Sequence, residues 1–320
     1  MLHLFFLKSS LSSHEYLGKT VTIVETIKQI LRLDITARIL ACAPSNSAAD
    51  TLASRLVEHV KNSRQTRNEI RMLRLNSFQR AKDTVKSSLL EFCFFKKGTD
   101  IFDIPDRLLL TSYHIIVTTT LSSGYWLDSS QYSFLKEGFH FTHIILDEAA
   151  QAMEPETMIP FSFATPRTQI ILAGDPHQLG PIIRSPAAIQ KKLGISFLER
   201  LMSLTLYKNN SNNTATQRCV TKLINNYRSH QKILQVPSKL FYSNELVSRA
   251  DPELFNSLCG WSELRNQNFP ILFRGIEGED RRDGESPSWY NCDEIPEVKR
   301  LILSLIQSGL AKKDDIGLIL

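Results

Sequence analysis

Two polar segments that follow apolar runs contain the side chains best suited to chemistry. Asp147 and Glu148 come directly after the apolar residues 141–146, and Gln178 follows the apolar residues 170–173. In parallel α/β sheets the carboxyl ends of the strands open onto the ligand crevice. Asp147 can hold a Mg²⁺ ion that bridges two phosphates, and Glu148 can accept a proton from the attacking water or orient it. Gln178 can sense the terminal phosphate or place that same water. The pattern favours a nucleoside triphosphatase over its plainer alternative, solvated surface turns.

A phosphate-binding loop is indicated by Gly18, Lys19 and Thr20, which lead into a helical pattern. Lys19 can reach the β- and γ-phosphates, and Thr20 can ligate Mg²⁺ together with Asp147. Backbone amides at the start of the helix add further donors for phosphate oxygens. These residues predict binding of ATP and Mg²⁺.

The start of that loop departs from the expected motif. Five positions before Gly18 the motif has glycine, whereas this sequence has Ser13, and residues 13–17 contain no glycine. One explanation is a functional loop without glycine, preceded by residues 2–7 as its strand. The other is an atypical N-terminal segment, residues 1–17, in which foreign sequence replaces the original strand and loop. The second is favoured, because glycine adopts the required backbone conformations at the lowest cost.

Contacts with a nucleic-acid backbone are predicted at two further strand ends. Pro44, Ser45 and Asn46 follow the apolar residues 38–43 and precede an Ala-rich helix start, so their polar groups can contact phosphates without distinguishing bases. The alternative role for Ser45 and Asn46 is an ordinary helix cap. Spacing alone does not decide between these two roles. Thr118 and Thr119 follow a further apolar run, residues 115–117.

The chain resembles superfamily 1 helicases of the up-frameshift-like group, and within it the Moloney-virus-ten/Armitage branch of RNA helicases. Five segments in the family order carry the resemblance: GKT at 18–20, APSNSAAD at 43–50, DEAAQ at 147–151, GDPHQLGPI at 174–182 and NYRSH at 226–230. The resemblance implies ATP- and Mg²⁺-dependent 5′ to 3′ unwinding along single-stranded RNA. It also implies silencing proteins as partners and a place in cytoplasmic ribonucleoprotein granules such as P-bodies. The resemblance favours strand contact for Ser45 and Asn46 and implies a second such contact at Thr118 and Thr119. Tyr227 would stack on the adenine, and Arg228 would approach the γ-phosphate.

The alternation of short apolar runs with helical stretches predicts an α/β fold, a RecA-like lobe with a parallel sheet covered on both faces, plus a truncated second RecA-like lobe. Predicted strands are residues 38–43, 113–118, 141–146 and 168–173, and predicted helices are residues 21–33 and 48–61. The first lobe is placed at 18–206 with an excursion at about 62–110, the linker at 207–216 and the partial second lobe at 217–320. Residues 315–320 are predicted to begin a strand.

Composition is compatible with this reading. The net charge of +5 permits a polyanionic partner, and the basic residues between 64 and 97 are expected to form a solvated face. Five widely spaced cysteines suggest neither a zinc module nor a disulfide framework, and no apolar run is long enough to span a membrane.

The resemblance also implies features that this sequence lacks. In the family the second lobe continues beyond the position of Leu320 and brings another nucleic-acid contact and an arginine that stabilises the transition state. The chain alone is therefore expected to have weak motor activity or none. Two alternatives stay open: a nucleotide-independent RNA-binding or scaffold fragment, and a non-helicase ATPase that is indifferent to nucleic acid.

Overall fold

The computed structural model describes residues 2–7, 18–64, 69–126, 141–207, 219–284 and 288–319. The chain divides into two compact units, Met1–Ile224 and Asn225–Leu320. Most of the predicted linker lies outside the described residues. Residues 219–224, which the sequence analysis places in the second lobe, belong to the first unit.

The first unit alternates strands and helices. Its strands are β1 (Leu2–Leu7), β2 (Ile39–Ala43), β3 (Met72–Arg74), β4 (Ile115–Thr119), β5 (His143–Leu146), β6 (Gln169–Gly174) and β7 (Val220–Leu223). Its α-helices are α1 (Lys19–Leu33), α2 (Asn46–Ser63), α3 (Ser87–Leu90), α4 (Arg107–Ser112), α5 (Glu154–Phe161), α6 (Pro186–Gln190) and α7 (Phe197–Ser203). Short 3₁₀ helices occupy Lys82–Thr84, Ser122–Trp126 and Ala149–Gln151.

The seven strands form one parallel sheet in the order β3-β4-β2-β5-β6-β1-β7. Alternate residues of β2 enter different cores. Ile39 and Ala41 pack with apolar residues of α1 and α2, whereas Leu40 and Cys42 pack on the opposite face with residues of α4 and α7. A strand buried on both faces is apolar throughout, which is why the runs lack alternating polarity. The predicted parallel α/β sheet, covered on both faces, is confirmed.

Two strands bear on the sequence-based expectations. β1 pairs with β6 and β7, which is the arrangement expected if residues 2–7 form the strand before the phosphate-binding loop. Residues 8–17, which include Ser13 and the rest of the glycine-poor segment, lie outside the described residues. β3 lies within the predicted excursion and pairs with β4 as an edge strand. Its three residues include Arg74, so no apolar run marked it in the sequence.

The second unit has smaller sheets in its described part. β8 (Asn225–Asn226) pairs with β9 (Val247–Ser248), and β10 (Asp280–Arg282) pairs with β11 (Trp289–Asn291). Its α-helices are α8 (Gln231–Phe241), α9 (Pro252–Phe255) and α10 (Glu294–Gln307). Leu234, Tyr242 and Leu246 form a small core.

The predicted strand at residues 315–320 is wrong for the residues that the structure describes. Lys313–Asp315 form a 3₁₀ turn, and residues 316–319 are in no regular element. A short apolar run forms a strand only where another strand offers its backbone groups, and none pairs with these residues in the described part of the unit. Among the described residues, none of the helices is long and apolar enough to cross a membrane.

Candidate active site

The acidic pair lies where β5 ends, at the middle of the sheet edge. The backbone N–H of Asp147 donates to the carbonyl of Cys42 on β2 (2.9 Å), which extends the strand pairing by one residue. Glu148 then adopts a left-handed conformation (φ 53°, ψ 37°) and turns the chain into the 3₁₀ helix Ala149–Gln151. A left-handed residue other than glycine is strained, and such strain concentrates at functional sites.

Both members of the pair contact the first turn of α1. Lys19 Nζ donates to Glu148 Oε2 (3.2 Å), and Thr20 Oγ1 donates to Asp147 Oδ2 (2.9 Å). The Lys19 side chain is 4% exposed and that of Glu148 is 25% exposed, so solvent reaches the ion pair only at Glu148. The structure therefore brings together four of the residues that the sequence predicts for nucleotide and metal binding.

The oxygen atoms of Thr20 and Asp147 suit Mg²⁺. This ion prefers oxygen ligands and is commonly held by one or two protein groups together with phosphate oxygens and water. In the described part of the chain, no group of three or more His, Cys, Asp or Glu residues could hold a metal ion by itself. The donor set thus fits a Mg²⁺ ion that arrives with a phosphorylated ligand.

Asp147 is nearly inaccessible, with 1% of its surface exposed. Burial raises the pKa of its carboxyl group to about 6, and the neighbouring charge of Glu148 adds to the increase. The hydrogen bond from Thr20 and the charge of Lys19 oppose it only in part. The raised pKa indicates that nearby positive charge only partly compensates the ionised carboxylate of Asp147, so a bound metal ion would stabilise that form.

Asp147→Asn tests this pKa in protein free of nucleotide and metal. A raised pKa in the folded state stabilises the fold fully below the unfolded pKa, near 3.8, and this contribution is lost as the pH rises through about 6. Two pH units correspond to about 3 kcal/mol. Between pH 4 and pH 7 we expect the free energy of unfolding of the parent to fall by about 2–3 kcal/mol relative to Asp147→Asn, measured with urea. A difference that is independent of pH would contradict the raised pKa.

Gly174 at the end of β6 allows the turn after Glu148 to approach closely. A Cβ atom at this position would lie 2.6 Å from Leu198 Cδ2, 2.8 Å from the backbone nitrogen of Ala150 and 3.2 Å from that of Ala149. The backbone atoms cannot move without displacing the 3₁₀ helix that follows Glu148. The glycine is thus required by packing at the site.

Gly174→Ala is expected to lower the free energy of unfolding by about 1–3 kcal/mol, the usual cost of overpacking, and to lower any ATP turnover. The matched control is Gly180→Ala in the same unit, where the nearest atom to the new Cβ is 3.6 Å away. Urea unfolding of both variants measures the difference. Equal stability of the two variants would show that the turn after Glu148 can shift freely.

Gln178 lies beyond the end of β6, the strand next to β5. Its Nε2 donates to Asp175 Oδ2 (2.9 Å), and Asp175 also accepts from the backbone N–H of His177 (3.0 Å). Asp175 is buried, so it fixes the conformation of this turn. The role of Gln178 as a phosphate sensor stays a prediction.

The predicted strand-contacting residues differ in accessibility. Ser45 and Asn46 are exposed and Pro44 is half-buried at the start of α2. Ser45 Oγ accepts from the backbone N–H of Ala48 (3.2 Å), so the residue is a helix cap, as the plainer alternative proposed. Thr118 is fully buried, and its hydroxyl has no hydrogen-bond partner among the described residues. Thr119 is also buried.

A buried charge cluster next to Asn46 was missed by the sequence analysis. Arg74 on β3 is fully buried, and its Nε donates to Asp50 Oδ1 (2.9 Å) on α2. Arg80 Nη2 donates to the other oxygen of Asp50 (2.6 Å), and Arg74 Nη2 donates to Asn46 Oδ1 (3.0 Å). The expectation that the basic residues form a solvated face is wrong for these two arginines. An acidic residue between the core positions Ala49 and Leu52 was the available signal.

Tyr227 and Arg228 lie in the second unit. Tyr227 is half-buried and Arg228 is exposed, and the backbone N–H of Arg228 donates to Asn226 Oδ1 (2.9 Å). Their contacts with a nucleotide stay predictions.

Comparison with known proteins places these motifs in a family. Two models described as an AAA domain match the chain, one at residues 17–101 and 96–186 and the other at residues 193–320. The human protein named RNA helicase Mov10l1 is 41% identical over 94% of this chain and 24% of its own length. The zebrafish (Danio rerio) putative helicase mov-10-B.1 is 42% identical over 94% of this chain and 29% of its own. The Drosophila melanogaster probable RNA helicase armi is 32% identical over 94% of this chain and 27% of its own.

The chain thus spans about a quarter of the length of these relatives. Its GKT, DEAAQ and GDPHQ segments lie at adjoining positions of one sheet edge. It belongs to the up-frameshift-like group of superfamily 1 RNA helicases, in the Moloney-virus-ten/Armitage branch.

Proposed function

We propose that this chain contains the ATP-hydrolysing site of an RNA helicase that acts on single-stranded RNA. One observation carries the proposal: Lys19 and Thr20, at the start of α1, contact Glu148 and Asp147, which are more than 120 positions away in sequence. A helix N-terminus with a lysine, a hydroxyl group and two carboxylates is the set of groups that phosphoryl transfer to water requires.

Each residue has a distinct role in this proposal. Lys19 binds the phosphates, which compete with Glu148 for its ammonium group. Thr20 and Asp147 hold Mg²⁺, which would neutralise charge on the phosphate oxygens. Glu148, released from Lys19, accepts a proton from the attacking water, and Gln178 orients that water. Tyr227 is proposed to stack on the adenine, and Arg228 is proposed to bind the γ-phosphate.

The segment Pro44–Ser45–Asn46, in which Ser45 and Asn46 are exposed, is proposed to contact the backbone of the RNA strand. Asn46 Oδ1 accepts from Arg74, which leaves the amide Nδ2 as the donor for a phosphate. Thr118 and Thr119 are proposed to shape the end of β4 rather than to contact the RNA directly, because both side chains are buried.

The cellular part of the proposal is supported by the family resemblance. It comprises 5′ to 3′ unwinding in RNA-mediated gene silencing, silencing proteins as partners, and a location in cytoplasmic ribonucleoprotein granules such as P-bodies. All five cysteines are free, which is typical of proteins in a reducing compartment.

ATP turnover by the purified chain, with and without single-stranded RNA, tests the proposed function. Turnover that rises with RNA supports a helicase site. ATP turnover that is independent of RNA would favour a non-helicase ATPase. RNA binding that persists without turnover and is insensitive to ATP would favour the nucleotide-independent RNA-binding or scaffold alternative.

A further inference from the structure

An aromatic pair lies at the outer half of the sheet edge, away from the acidic pair. Phe78 follows β3 and Tyr125 follows β4, the two strands farthest from β6 on that side. Their ring centroids are 4.9 Å apart with an angle of 33° between the planes. Phe78 is 42% exposed, so the pair presents apolar ring surface to solvent.

The two rings lie on short segments that follow β3 and β4 and are hydrogen-bonded to each other. Tyr125 Oη donates to Ser77 Oγ (2.8 Å), which links the segments after β3 and β4. Tyr125 belongs to the 3₁₀ helix Ser122–Trp126, whose start is fixed by Thr119: Thr119 Oγ1 donates to Ser122 Oγ (2.9 Å) and accepts from the backbone N–H of Ser122 (3.2 Å). The position of the Tyr125 ring, on which Phe78 packs, is therefore set before any ligand binds, which reduces the entropic cost of binding.

Polar groups of the proposed strand contact lie next to the pair. Arg80, two residues after Phe78, donates through Nη1 to Asn46 Oδ1 (3.4 Å) and to Asn76 Oδ1 (2.8 Å). The same sheet edge thus combines exposed ring surface with the exposed helix start at Ser45 and Asn46. Single-stranded nucleic acid is bound by this combination, in which polar groups follow the backbone and aromatic rings stack on bases.

We propose that Phe78, supported by Tyr125, is a stacking platform for one base of a single strand whose backbone contacts Ser45 and Asn46. The inference rests on the proposed function, because it assigns a base contact to the same RNA. Stacking on a ring does not depend on base identity, so the platform adds affinity without sequence preference. It also gives Thr119 a positioning role, through the helix that carries Tyr125.

The test measures binding of a fluorescein-labelled oligouridylate of about 12 nucleotides by anisotropy. Phe78→Ala is expected to weaken binding about 5- to 100-fold, the range for one stacked base. Phe78→Trp keeps a ring and should retain the parent's affinity. The slope of log affinity against log salt should be unchanged in Phe78→Ala, because no phosphate contact is removed.

Two matched controls separate stacking from other effects. A strand of the same length without bases should bind the parent and Phe78→Ala equally. Leu33→Ala removes an apolar side chain that is 88% exposed at the end of α1 and should bind oligouridylate as the parent does. Urea unfolding of Phe78→Ala verifies that the first unit remains folded.

The outcomes distinguish the platform from the proposed function. Equal oligouridylate binding by Phe78→Ala and the parent overturns the platform alone. An equal loss on the strand without bases also overturns it, since the effect would not be stacking. Failure of the parent to bind any single strand overturns the platform and the RNA-binding function together.

Discussion

Glu148→Gln is expected to lower ATP turnover by about 10²- to 10⁴-fold, the usual contribution of a general base. Glutamine preserves the size of the side chain but cannot accept the proton of the attacking water. Glu148 accepts hydrogen bonds from Lys19 (3.2 Å) and Gln151 (3.1 Å), and its left-handed backbone holds it at the turn after β5. The substitution also removes the charge that competes with phosphate for Lys19, so ATP affinity should be equal to or higher than that of the parent.

Steady-state turnover at saturating ATP and RNA, together with equilibrium nucleotide binding, measures both effects. The matched control is Glu154→Gln in the same unit, whose carboxylate is bound by Arg200 through two hydrogen bonds of 2.7 Å at the surface. That variant should turn over ATP at the rate of the parent. Unchanged turnover in Glu148→Gln would show that another group activates water, and reduced nucleotide binding would show that the ion pair is a structural requirement.

Strand β2 connects the two halves of the sheet edge. Its neighbours are β4, on the side of Phe78, and β5, which ends at the acidic pair. The carbonyl of Cys42 accepts from the backbone of Asp147 (2.9 Å), and that of Ala43 accepts from Thr120 (3.0 Å). The segment proposed to bind RNA therefore follows residues that are hydrogen-bonded to the ends of both β4 and β5. This position suits it to couple nucleotide binding at the acidic pair to contact with the RNA strand.

The central strands were predictable because their burial on both faces demands apolar residues throughout. β2, β5 and β6 were placed within two residues at each end. β3 was not, because it has three residues and contains Arg74. No local pattern marks a strand whose stability comes from pairing with β4 and from a charge partner on another helix.

The candidate site was predictable where a motif fixes both residue type and position. Asp147 and Glu148 were assigned from the strand end, and their contacts with Thr20 and Lys19 agree with that assignment. The burial of individual polar side chains was not predictable. Thr118 is buried, but the apolar run before it is the same as one that precedes an accessible residue at a strand end. Every residue of β4 is buried because helices cover both faces of the sheet, so the burial of Thr118 comes from tertiary packing and not from a local pattern.

The buried cluster of Arg74, Asp50 and Arg80 is expected to dominate the stability of the outer sheet edge. Burial alone raises the pKa of the Asp50 carboxyl group, but hydrogen bonds and charges from Arg80 and Arg74 outweigh it, so the pKa lies below its usual value. Asp50→Ala would leave the fully buried guanidinium of Arg74 without its counter-charge. We expect the free energy of unfolding in urea to fall by about 3–5 kcal/mol, the range for removing one partner of a buried pair.

Two comparisons make this expectation specific. Arg200→Ala, which breaks the exposed pair with Glu154, should cost only about 0–1 kcal/mol. The double variant Asp50→Leu/Arg74→Met replaces the fully buried pair by apolar groups and should be more stable than Asp50→Ala, because only the guanidinium of Arg80, rather than those of both arginines, then lacks its counter-charge. Arg80 keeps its bonds to Asn76 and Thr84 in that variant. A loss in Asp50→Ala no larger than in Arg200→Ala would mean that water solvates the guanidinium of Arg74 once Asp50 is removed, and that the pair does not stabilise this edge of the sheet.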